Sequence, residues 1–447
     1  MESGGGAAVG KWVEIVNLLL ALQLIQDLRK VSEPVIPQSC TVLTAARPSI
    51  DEDKPDTVRI QEALDKCPAG QAVELSGKVF LAGPLQLRAG VTLLVDRGTT
   101  LYASRNPRDY DLTPGSCGIV DKRGHGCKAI VSGDRVAGAA VMGEGAIDGR
   151  GGDTLTGQKV SWWDLAQEAK VKNLNQSVPR LMALSHCDNF TLYRITLRNS
   201  PNFHVAYSGG NGFTAWGVVI DAPKTARNTD GIDPGNAQNV TIKRCFIHTG
   251  DDNIAIKAGS PGPTSHMTIE DNHFYTGHGM SIGSETDGGA SAIRVTNLSI
   301  DGADNGIRIK SNSSRGGPVR DVVYDDVCIK DTKNPILMDS NYSYMGEARD
   351  KLPSFEGIIL RNVRVLSAGK ITLDGFDAVH RLGITFDNVT LDDVKSSKFE
   401  ATHAVITEGA GGLNFRVTGD DVRVIENSGK ASRNTCQGKF VPFPGGN

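Results

Sequence analysis

Long apolar runs, zinc-type cysteine pairs, aromatic rings and an excess of either charge are all scarce in this chain of 447 residues. No stretch is apolar over the ~20 residues that cross a bilayer, so no membrane partner is expected. Formal net charge is only −3, which leaves no global attraction for nucleic acid; any pull on an acidic ligand must come from a local patch. None of the eight cysteines falls in a Cys-x-x-Cys pair, which removes the usual zinc and redox spacings. Aromatics make up only 6% of the chain while glycines number 52, a balance that suits many tight turns around small stacked units.

What is present is a repeat. Asn-Thr-Asp-Gly-Ile-Asp-Pro (228–234), Thr-Gly-Asp-Asp-Asn-Ile-Ala-Ile-Lys (249–257), Gly-His-Gly-Met-Ser-Ile-Gly-Ser-Glu (277–285) and Gly-Ile-Arg-Ile-Lys-Ser (306–311) align on Ile232, Ile254, Met280 and Ile307. The gaps are 22, 26 and 27 residues, a period that predicts a solenoid whose equivalent positions stack coil on coil. Two residues before the first three lie Asp230, Asp252 and His278. Strand parity then sorts the faces. Ile307 and Ile309 point one way, and Arg308 and Lys310 the other. Two neighbouring cations repel, so an anion is expected across them. Ile254, Ile256, Met280 and Ile282 point inward, with Lys257 and the small Ser281 and Gly283 outward. The outer face is an open floor with carboxylates on one side and cations on the other.

Asn-Thr-Asp, Gly-Asp-Asp, Gly-His-Gly and Arg-Ile-Lys, in that order, resemble the signature set of family 28 glycoside hydrolases, the polygalacturonases. The similarity runs over roughly Ser32 to Val394 and is closest to bacterial endopolygalacturonases. It implies an all-β fold, a right-handed parallel β-helix, and inverting hydrolysis of α-1,4-linked galacturonate in demethylated pectin by a secreted monomer. Endo action is expected.

Residues 1–33 are irregular in pattern. Val13 to Leu28 suits a secretion leader interrupted by Glu14, an upstream mis-start, or an amphipathic helix, and no clean cleavage site follows. A single β-helix domain is expected over 34–447. Asp56 to Cys67 has helical spacing and is expected to cap the first coil. Cys117 and Cys127 bracket a Gly-rich loop and are expected to pair, in an oxidising compartment. The family resemblance adds Cys40 with Cys67. Cys187, Cys245 and Cys328 lie in strand-like segments and are expected as buried thiols. Trp162 to Lys172 is a second helix candidate. Seven Asn-x-Ser/Thr matches, at Asn175, Asn189, Asn239, Asn297, Asn312, Asn341 and Asn388, read better as left-handed turns entering strands than as glycan acceptors. Beyond Phe386 the repeat fades, and 396–447 is expected to close the C-terminal end loosely.

Inverting hydrolysis needs one carboxyl to protonate the leaving oxygen and another to activate water across the bond. Asp230, Asp251 and Asp252 can supply both, and crowding should raise the pKa of at least one. Spacing does not choose between Asp251 and Asp252; the resemblance makes Asp251 the acid, with Asp230 and Asp252 on the water and His278 beside the acid. Arg308 and Lys310 are expected to hold a substrate carboxylate. The resemblance adds Tyr342 to that subsite, and Asn228 is expected to orient Asp230 or the substrate. No metal and no cofactor is expected. Other classes fit less well. Gly279-Met-Ser281-Ile-Gly283 matches a nucleophile elbow, but inside a strand repeat rather than a strand–turn–helix. Gly-Glu-Gly-Ala-Ile-Asp-Gly-Arg-Gly (143–151) lacks the helix of a dinucleotide fold. A calcium-dependent lyase would need a different carboxylate cluster, and a tailspike-like binding solenoid would not need an acid/base set. Rhamnogalacturonan hydrolases depart from the Asp-Asp and His pattern.

Overall fold

The computed structural model describes residues 25–260, 262–342 and 350–445. Its strands stack into a parallel β-helix with three faces. The first face runs through Val205–Ser208, Ile232–Gly235, Ile254–Ile256, Met280–Gly283, Asn305–Lys310, Asn334–Asp339 and Lys370–Asp374. Its registers pair Ile232 with Ile254, Ile254 with Met280, and Met280 with Ile307, the column read from the sequence. All four are fully buried. Burying apolar surface in this axial column, at roughly 25 cal/mol per Å², is what holds successive coils together. From Thr264 onward single long strands such as Thr264–Phe274 and Ala290–Asp301 supply both the second and third faces.

The helix α1 (Thr57–Lys66) buries Ile60 and Leu64 over the first coil, and the Cys40–Cys67 disulfide fastens its end. The helix α2 (Trp162–Lys172) begins at Ser161, which forms a reciprocal capping box with Asp164. Cys117–Cys127 closes the expected loop. Asn189, Asn239, Asn297 and Asn388 adopt positive φ, as a left-handed turn requires, but Asn175, Asn312 and Asn341 do not, and Asn175 lies within the strand Asn175–Ser177, so the turn reading fails for those three.

Three further expectations need revision. Cys328 is not a thiol: it pairs with Cys436, 108 residues on. Nor is the C-terminal region a loose closure. Lys398–Glu408 and Asp420–Ile425 extend the solenoid in parallel register, and the chain then doubles back along the third face. The alternating pattern survives there, but shorter loops blur its period. At the other end, the leader expected for 1–33 falls mostly outside the described residues. Asp27, however, is 5% exposed and accepts from Thr241 Oγ1 at 2.7 Å, so the folded body reaches at least that far. Cys187 and Cys245 are buried free thiols, as anticipated. No helix among the described residues is long and apolar enough to cross a membrane.

Candidate active site

The site lies on the outer side of the first face and on the turns that enter it. Asp230, Asp252 and His278 precede three stacked strands, so the coil register that aligns their isoleucines brings them together. Asp230 and Asp252 are only 4% and 2% exposed, in the floor, while Asp251 and His278 sit higher, partly open to the cleft.

Asp252 is the most heavily bonded group. Ser281 Oγ donates to its Oδ1 at 2.7 Å, Arg308 Nη1 to the same oxygen at 3.1 Å, and Lys310 Nζ to Oδ2 at 2.8 Å. The anion expected across the two cations is therefore Asp252 itself. Burial alone would raise its pKa, but Lys310 and Arg308 outweigh burial and hold the carboxyl well below the usual range. Ser281, fully buried and bonded to a carboxylate within a strand, has no nucleophile-elbow geometry. Tyr342 covers Arg308 and Lys310, its ring centre 5.5 and 5.6 Å from them. Arg308 Nε has no hydrogen-bond partner among the described residues.

Asp251 bonds differently. His278 Nδ1 donates to its Oδ1 at 3.0 Å, and Asn228 Nδ2, expected to orient Asp230 or the substrate, instead reaches Oδ2 of Asp251 at 3.4 Å. Burial works to raise Asp251, yet the His278 bond prevails and lowers it. Burial likewise works to lower His278, and the same bond raises it. The pair thus keeps one proton to higher pH than a free imidazole would. The carboxyl whose pKa rises from crowding is Asp230, not Asp251. Burial comes first, then the charges of Asp233 and Asp251.

Asp233 and Lys257 were not singled out by the sequence as site residues. Lys257 Nζ lies 2.9 Å from Asp233 Oδ2 and 3.8 Å from Asp230 Oδ2. Burial raises Asp233 to about 6 despite that lysine. Strand parity carried the signal for both, since Asp233 follows the inward Ile232 and Lys257 follows the inward Ile256. Asp304, on the coil after His278, was also missed: it is 4.0 Å from His278 Nε2 and is held by Lys224 and Lys333. Beside Asp233 opens a cavity of about 520 Å³ lined in part by Arg180, Phe203, Arg227, Asn228, Asn236 and Lys257.

Asp251, Asp252 and His278 each place one ligand atom within 4.8 Å of the others, the spacing of a metal site. Their oxygens already accept from Ser281, Arg308, Lys310 and His278, so this donor set suits internal ion pairs better than a divalent cation.

A parallel β-helix carrying clustered aspartates, a histidine and a paired Arg/Lys on one outer face is the architecture of a polysaccharide-cleaving solenoid. The chain belongs to the glycosyl hydrolases family 28, whose model matches residues 61–436. It is 44% identical over 381 residues to an endo-polygalacturonase of Pectobacterium carotovorum subsp. carotovorum, covering 84% of this chain and 92% of that one. A polygalacturonase of Ralstonia nicotianae is 38% identical, with 92% of each chain covered. The solved polygalacturonase of Erwinia carotovora ssp. carotovora superposes with a TM-score of 0.81 at 43% identity, over 85% of this chain and all of that one.

Proposed function

We propose that this chain is a polygalacturonase that hydrolyses the α-1,4 bonds of polygalacturonate with inversion, from within the polymer. The observation that carries the reading is the split of the aspartates: Asp251, paired with His278, stands at the cleft, and the ionised Asp252 lies with Asp230 in the floor. The Asp251–His278 pair holds the proton for the leaving oxygen: the imidazole stores it and passes it through Asp251, the general acid, and the pair is reprotonated from solvent. Asp230, the carboxyl that keeps its own proton longest, hydrogen-bonds the attacking water. Asp230 and Asp252 hold the water between them and together take its proton, which then passes to solvent. Arg308 and Lys310 attract the substrate carboxylate under the Tyr342 ring, with Asn228 holding Asp251 in place. No step calls on a metal ion. Secretion fits the three disulfides, which persist in oxidising compartments.

The test is reducing-sugar release from polygalacturonate with and without chelator, with the early products sized. Release that withstands chelation, as an oligomer ladder, is the expected result. An unsaturated, ultraviolet-absorbing product would make the chain a lyase, and monomer alone would make it exo-acting.

A further inference from the structure

After its last parallel strand the chain runs back across the outside of the third face, over coils laid down much earlier. Asn434 Nδ2 donates to Asn362 O at 2.8 Å, and Cys436 is bonded to Cys328. Lys439 Nζ reaches Asn297 Oδ1 at 3.0 Å and pairs with Asp326, while Lys330 Nζ sits 4.8 Å from the centre of the Phe440 ring. Tyr275 Oη then donates to Val441 O at 2.9 Å. Phe443 ends the run with its ring edge-on to Tyr275, 5.0 Å between centres, and 5.6 Å from His248. Among the described residues no other aromatic ring touches either one.

His248 lies three residues before Asp251, and Tyr275 three before His278. These are the last positions of the third face before the chain turns into the site. The two turns are laced together. Tyr275 N donates to Ile247 O at 2.9 Å, Thr249 N to Thr276 O at 3.1 Å, and His278 N to Asp251 O at 2.9 Å. Thr276 Oγ1 adds a bond to Thr249 O at 3.1 Å. Whatever fixes the bases of these turns fixes the spacing between Asp251 and His278.

We propose that Phe443 and Tyr275 are positioning residues for the Asp251–His278 pair, held there by a C-terminal strap that the Cys328–Cys436 disulfide clamps to the solenoid. The strap touches neither substrate nor reacting atoms. It seats the two turns from behind, so the acid's geometry depends on a segment more than 150 residues downstream. The proposal rests on the reading of Asp251 as the acid given above.

The experiment compares Phe443→Ala, Phe443→Tyr, Tyr275→Phe and Cys436→Ser with the unaltered chain on polygalacturonate, well below each variant's melting temperature, with Asp251→Asn alongside. Misplacing a reacting group by about an ångström costs up to ~10²-fold, so a partly released turn should lower kcat roughly tenfold. Phe443→Ala and Cys436→Ser should show that loss with KM within about twofold, because substrate binding is untouched. Tyr275→Phe should lose less, and Phe443→Tyr should recover the activity. A purely structural strap would move Tm and leave kcat alone. Unchanged kcat in both Phe443→Ala and Cys436→Ser, or a loss confined to KM, overturns the proposal while Asp251→Asn remains inactive. Activity retained in Asp251→Asn overturns the reading of the acid, and the strap's role with it.

Discussion

Replacing Lys310 by methionine keeps the length of a side chain that is 9% exposed but removes the ammonium 2.8 Å from Asp252. Asp252 would keep Ser281 at 2.7 Å and Arg308 at 3.1 Å, so its charge would be undercompensated rather than stranded. One charged hydrogen bond is worth about 1.5–3 kcal/mol, and that is the expected loss of stability near neutral pH. A fully unpaired buried charge would cost about 3–5 kcal/mol, an upper bound here. The pH dependence follows from linkage. Asp252 has a depressed folded-state pKa, so the stability it contributes is fully present above the unfolded carboxylate value near ~4 and is lost as pH falls through the lower folded value. The substitution moves the folded value back towards the unfolded one. The gap between the two proteins should therefore be full at about pH 7 and narrow by about 1 kcal/mol by about pH 3. Urea melts at the two pH values measure both quantities. No loss near neutrality, or a gap that widens in acid, would refute the assignment of Lys310 as Asp252's partner.

Asp251→Asn preserves shape but removes the proton donor, and hydrolysis should fall at least ~10²-fold with the circular dichroism unchanged. His278 has a raised folded-state pKa, so the stability from its bond to Asp251 is complete below ~6.5 and fades as pH rises through the folded value. Activity in steady-state pH profiles should decline over the same window, and in His278→Ala that limb should move to lower pH. Asp27→Ala leaves Thr241 Oγ1 without its acceptor and takes the carboxylate from Arg29, which keeps Phe213 O, and should destabilise the chain by about 1.5–3 kcal/mol in the same urea melts.

The coil register was legible because one repeat carries two kinds of information. A column of Ile232, Ile254, Met280 and Ile307 fixes the stacking, and fixed stacking brings Asp230, Asp252 and His278 together. Parity also foresaw an anion over Arg308 and Lys310. It could not say whether that anion would be a substrate or Asp252, because periodicity describes strands and not how far a side chain reaches between coils. The same limit hid which of the three aspartates would have the raised pKa: it is Asp230, through burial and then the charge of Asp233. Cys328 was misjudged because its partner lies outside the repeat, in a segment that retraces the solenoid after the pattern has ended. A strap of this kind has no period of its own and is held by isolated contacts such as Tyr275 to Val441.

The central claim is that water activated between Asp230 and Asp252 attacks from the face opposite Asp251, with no covalent intermediate. Proton NMR over the first minutes of polygalacturonate digestion reports the configuration of the new reducing end before mutarotation. Inversion of the α-linkage predicts a β-anomer first, the α form growing in only afterwards. An α-anomer first would mean retention through a covalent glycosyl-enzyme, for which the two carboxyls must stand only about 5–5.5 Å apart, and would contradict the roles given to all three aspartates.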